Sequence, residues 1–112
     1  MLSTYKILIS EPFNYSGPNP IFGFGIGVIF DSEGKQYFLL NLKSSIQIEE
    51  GLVNQLVVHP RYIENNINEI LQGTCVVAIY KMKLNTKIDL NKSFNFPQID
   101  YFAIGTITKE QE

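Results

Sequence analysis

The chain has 112 residues, 45% of them hydrophobic and 18% charged, with a formal net charge of −2. That length suits one domain, expected to run over residues 1–112, and leaves no room for two. The apolar fraction excludes a disordered chain, and the acidic balance counts against general nucleic-acid binding and anionic membranes, both of which call for a basic surface.

Cys75 is the only cysteine, so no internal disulfide forms, and a reducing compartment is favoured. The first residues, Met-Leu-Ser-Thr-Tyr-Lys, carry none of the ordered regions of a secretory signal. The longest apolar run, Ile21–Phe30, is too short to span a bilayer and holds three glycines. The expectation is a complete cytoplasmic protein.

Tyr5–Ser10 predicts a first strand, and the proline-rich Glu11–Pro20 predicts a loop. Ile21–Phe30 predicts a second strand. Strand side chains alternate, so Phe22, Phe24, Ile26, Val28 and Phe30 share one face, and Gly23, Gly25 and Gly27 leave the other nearly bare. Asp31–Lys35 is a polar turn containing Gly34, and Gln36–Leu42 returns as the third strand of a hairpin.

Ser44–Asn54 is ambiguous, with a turn signal at Glu49-Glu50-Gly51. Gln55–His59 predicts a short strand that Pro60 ends. Ile63, Ile67, Ile70 and Leu71 form one apolar stripe at helical spacing, which predicts a helix over 62–72, with Gly73 at its C-terminal end. Thr74–Leu84 predicts a strand apolar on both faces, hence central. Asn85–Gln98 predicts a long loop with a short extended piece at Ile88–Leu90. Tyr101–Thr108 predicts the last strand.

The expected fold class is therefore α+β. It would be a mostly antiparallel, strongly curved sheet or small, partly open barrel of about six strands, with one short helix before the last two strands. In topology alone this resembles the five-stranded oligonucleotide-binding barrel. Exposed edge strands would offer a way for two copies to pair, and the oligomeric state is open.

The glycine face reads either as a place where a ligand approaches the backbone or as the bend of a curved sheet, and the bend is favoured. It is not a phosphate loop, because no helix follows it. Gly23-Phe24-Gly25 with Tyr37-Phe38 resembles the aromatic strands of cold-shock domains, which implies bases stacked on a basic face. The lysines that should flank these two pieces are missing, and Asp31 and Glu33 stand near the turn instead.

The best polar cluster is His59-Pro60-Arg61-Tyr62, which holds the only histidine and the only arginine. Arg61 suits a bidentate anion contact, and His59 suits acid–base work with Tyr62 or Glu64. A structural role at the strand end is favoured, because nucleophile, base and orienting group cannot all be named. Cys75 is expected to be buried and inert. No second histidine or cysteine exists to build a zinc site, so neither metal nor cofactor is expected.

Two loops carry Phe13, Tyr15, Phe94 and Phe96, either tucked onto the core or held out as interface anchors. Glu49 and Glu50 offer part of an acidic patch. These residues, with His59, Arg61 and Tyr62, are the expected partner-binding set. The functional expectation is a non-catalytic protein-binding module. Its concrete form is an immunity-type inhibitor that neutralises a basic toxin or nuclease. The alternatives are a nucleic-acid- or oligosaccharide-binding barrel, which would need a basic aromatic sheet face, and a small enzyme using His59.

Overall fold

Six runs of the chain are strands, and β-branched and aromatic residues are most frequent in the second, fifth and sixth of them. The structure, a computed structural model, describes residues 3–12, 15–48, 51–61, 74–82 and 99–110. The strands are β1 (Thr4–Glu11), β2 (Ile21–Phe30), β3 (Gln36–Ile48), β4 (Gly51–Pro60), β5 (Thr74–Met82) and β6 (Ile99–Lys109). Each pairs antiparallel with the next, and β6 returns to pair antiparallel with β1. An up-and-down ribbon can close with every pair antiparallel only if its strand number is even, and six satisfies that.

The expected α+β class is corrected by this topology. The described residues form an all-β, closed six-stranded barrel with no helix among them. The segment 62–72, expected as a helix, and Ile88–Leu90, expected as extended, lie outside the described residues. The barrel is also not partly open, because Tyr5–Glu11 pairs with Ile104–Lys109. That pairing joins the two ends of the chain and leaves no local trace in the sequence. Two further expectations fall with it. The strand order is a simple meander, unlike the Greek-key order of the oligonucleotide-binding barrel. No edge of the six-stranded sheet is left free to pair a second copy.

A six-stranded barrel is narrower than the eight-stranded kind whose interior side chains can just fill. Its lumen here is packed with buried residues from every strand, among them Ile7, Leu40, Leu56, Val77, Ile79 and Ile107. Each such aliphatic side chain contributes roughly 1.5–3 kcal/mol by leaving water. Cys75 is buried in the same cluster, as expected.

The narrow lumen decides which way β2 faces. Gly23 and Gly25 point inward. The rings of Tyr5 and Phe38 occupy the space that a side chain at Gly25 would need, and the Asn41 backbone and Leu42 side chain crowd Gly23. Phe22 and Phe24 are therefore turned outward. A bulge between Gly25 and Gly27 then shifts the register against β3. Beyond it, Val28 pairs with Phe38 and packs on the lumen, and Ile29 pairs with Tyr37 on the outside.

Ile29, Tyr37, Leu39, Val57 and Ile99 form a second buried cluster on the outer side, flanked by Ile26 and Tyr80. The barrel thus has a filled interior, one buried outer flank on β2–β6 and one exposed flank on β1–β3. Among the described residues, no helix is long and apolar enough to cross a membrane.

Candidate functional site

Of the residues singled out from the sequence, His59, Arg61 and Tyr15 are described. Tyr62, Phe13, Phe94, Phe96, Glu49 and Glu50 lie outside the described residues.

His59 sits near the end of β4, paired with Ala78 of β5. Its Nδ1 lies 2.7 Å from the Gln36 carbonyl oxygen, so in the neutral ring Nδ1–H donates there and Nε2 keeps its lone pair. Burial lowers its pKa from the usual 6.5, and the hydrogen bond to the Gln36 carbonyl works in the opposite direction. Its ring lies 5.4 Å from that of Tyr37, which is completely buried. Tyr80 stacks edge-on against Tyr37 at 5.9 Å and against Tyr101 at 6.0 Å. Arg61 ends this row, its backbone N–H donating to the Val76 carbonyl at 2.9 Å.

Asp31 closes the β2–β3 hairpin beside them and is 5% exposed. Its Oδ1 accepts the N–H groups of Glu33 and Lys35, each at 2.9 Å, and the Tyr37 hydroxyl points to Oδ2 at 3.4 Å. Burial first, and then the Asp31 carboxylate, push the Tyr37 phenol well above its usual pKa.

Among the described residues these groups hold the His59 ring in place and do not assemble a catalytic set around it. Nδ1 is fixed by a backbone carbonyl and Asp31 is engaged in its own turn. Cys75 lies in the lumen, its Sγ donating to the Val76 carbonyl at 3.4 Å. Among the described residues no three His, Cys, Asp or Glu side chains gather as metal ligands.

Tyr15 is half-buried against the lumen cluster. Its ring meets Phe102 edge-on at 5.7 Å and its hydroxyl donates to the Pro18 carbonyl at 2.6 Å. Asn19 clips the same loop to β1. Its amide Nδ2 donates to the Ile9 carbonyl at 3.0 Å and its Oδ1 accepts the Ile9 N–H at 2.8 Å. Asn19 stands two positions beyond the last β1–β2 pair, Ile7 with Ile21, on the far side of Pro20, and its side chain carries the ladder on at Ile9.

The second surface is one that sequence reasoning missed. On the outer face of β1–β3, Leu8 is 51%, Phe22 38% and Phe24 36% exposed. Lys6 of β1 pairs across from Phe22, and Lys43 of β3 holds its ammonium 5.3 Å from the centre of the Phe24 ring. Asn41 pairs across from Phe24 and accepts a hydrogen bond from Gln55 Nε2 at 2.9 Å. Thr108 of β6 lies beside Lys6 on the other side.

The lysines that the sequence seemed to lack are supplied by the two flanking strands. Only the strand register brings them to the phenylalanines. Of the aromatics that carried the cold-shock resemblance, Phe24 is on this face, whereas Tyr37 and Phe38 are both buried and Phe22 takes their place. Searches of protein-family models, of curated proteins and of solved structures find no match to this chain.

Proposed function

We propose that the chain is a binding module with no chemistry of its own, and that its partner docks on the outer face of β1, β2 and β3. The observation that carries this reading is the outward placement of Phe22 and Phe24 beside Leu8. A packed lumen leaves no interior site for a ligand, so binding falls to the outer surface. Exposed aromatics grouped on one face are a common mark of an interaction surface.

An immunity-type inhibitor of a basic toxin or nuclease is one form of such a module, and it would act through an acidic patch. Lys6 and Lys43 on the exposed face favour an anionic partner instead. The test is to compare the wild-type chain with the double variant F22S/F24S as bait in an extract of the source cells. The wild type is expected to retain a partner that the variant loses, with the two proteins melting at the same temperature. Equal retention by both would remove this face from the function.

A further inference from the structure

We infer that the β1–β2–β3 face takes single-stranded nucleic acid, with bases stacked on Phe22 and Phe24 and phosphates against Lys6 and Lys43. The inference rests on the binding-module reading above and names its partner. Residues two apart on a strand stand roughly 6.6–6.8 Å from each other on one face. Duplex DNA rises about 3.4 Å per nucleotide of each strand, so a strand drawn out to about twice that rise places successive bases on the two rings. Stacking of this kind tolerates any base, because every base has a flat face.

The charges agree with that occupant. Among the described residues neither Lys6 nor Lys43 is paired with a carboxylate, and the outward positions around the two rings are Thr4, Asn41, Gln55 and Thr108. The nearest described carboxylate belongs to Glu110, whose backbone N–H donates to the Thr4 carbonyl at 2.9 Å, so it stands across β1 from Phe24 as Thr108 stands across β1 from Phe22; Glu11 is at the far end of β1. Asp31 and Glu33 lie at the other end of β2 from Phe22, away from Lys6 and Lys43. The amides and hydroxyls around the rings suit sugar and base edges. A paired duplex is excluded as occupant, because its bases are already stacked on one another.

The experiment measures binding of fluorescent oligo-dT and oligo-rU to the purified full chain by anisotropy, at low salt and then along a salt series. Phe22→Ser and Phe24→Ser are each expected to weaken binding roughly tenfold, while Phe24→Trp, which keeps a stacking surface, retains it. Lys6→Gln and Lys43→Gln are each expected to reduce the steepness of log K against log salt by about 0.7. Matching thermal midpoints show that the variants fold.

No binding at low salt overturns the inference, and so does binding indifferent to both phenylalanines. A photocrosslinking residue, Phe24→p-benzoylphenylalanine, separates this failure from failure of the module itself. A nucleic-acid adduct in source-cell extract supports the inference. A protein adduct alone overturns it and leaves the module reading standing, and no adduct of either kind overturns both.

Discussion

Tyr5 and Phe38 meet edge to face across the lumen, ring centroids 5.1 Å apart at 67°, directly over the bare Cα of Gly25. A β-carbon at Gly25 would lie 2.6 Å from the Tyr5 ring and 2.7 Å from the Phe38 ring. Both rings are buried, so neither can step aside into water. Gly25→Ala is therefore expected to cost about 1–3 kcal/mol, read from urea unfolding. Adding Phe38→Leu, which shortens one of the two rings, should recover part of that loss. If G25A leaves the midpoint unchanged, the rings do not fill the lumen as described.

Gly105 is a more stringent position. It pairs with Ile9 of β1 and Val77 of β5, at the seam that closes the barrel. A β-carbon there would collide with the Leu8 carbonyl oxygen, a backbone atom held in the β1–β6 ladder. A ring can rotate slightly, but a paired strand cannot move without breaking its neighbours. Gly105→Ala is expected to cost more than Gly25→Ala, about 3 kcal/mol or above, or to prevent folding. A mild effect at Gly105 would argue that β1 and β6 are not paired in this register.

The β2–β3 hairpin rests on one carboxylate. Asp31 accepts two backbone N–H groups through Oδ1, and its own N–H donates to the Lys35 carbonyl at 3.0 Å. Gly34, at φ 87°, supplies the left-handed residue that the turn needs. Hydrogen bonds to a charged acceptor each contribute about 1.5–3 kcal/mol, so Asp31→Ala, which removes two, is expected to lose roughly 3–6 kcal/mol. Asp31→Asn keeps the Oδ1 acceptor and should lose less. Equal losses from the two would show that the charge, and not the acceptor geometry, holds the turn.

Asn19 offers a parallel test at the other end of β2. Its side chain replaces a missing backbone rung at Ile9, and Asn19→Ala leaves both Ile9 groups without that partner. The expected cost is about 1–3 kcal/mol. Amide exchange at Ile9 should quicken in the variant, and unchanged exchange there would count against the clip.

Where local signals were strong, the sequence was readable. Pro20 and the Asp31 turn bracket Ile21–Phe30, and the strand has those bounds. The strand read from Thr74 likewise begins there and runs to Met82, with its expected end at Leu84 outside the described residues. β3 was read too short, because the polar stretch Lys43-Ser44-Ser45 breaks the alternation where the register slips between Asn41 and Ile46. Pro60 was read as ending its strand and is the last residue of β4, but the strand begins at Gly51 and not at Gln55.

Two features had no local signal at all. Closure depends on pairing between the chain's ends. The exposed aromatic face depends on which side of β2 the narrow lumen rejects, and on lysines from β1 and β3. Alternation alone would place the bulky side of β2 inward, and it is the rings over Gly25 that reverse it.

His59 is the only histidine, so its titration can be followed alone. Burial lowers its pKa below 6.5, which means that the folded protein binds its proton less readily than the unfolded chain. Below about pH 6.5 the unfolded state takes up that proton first, so stability falls with falling pH. The fall continues down to the lowered folded-state pKa and stops once both states are protonated. His59→Gln keeps an N–H able to reach the Gln36 carbonyl but cannot titrate. The stability difference between wild type and H59Q is therefore expected to be constant above neutral pH and to shift against the wild type below 6.5. Proton NMR of the His59 ring gives the folded value directly. A pKa at or above 6.5 would show that the ring is solvated rather than held neutral against Tyr37.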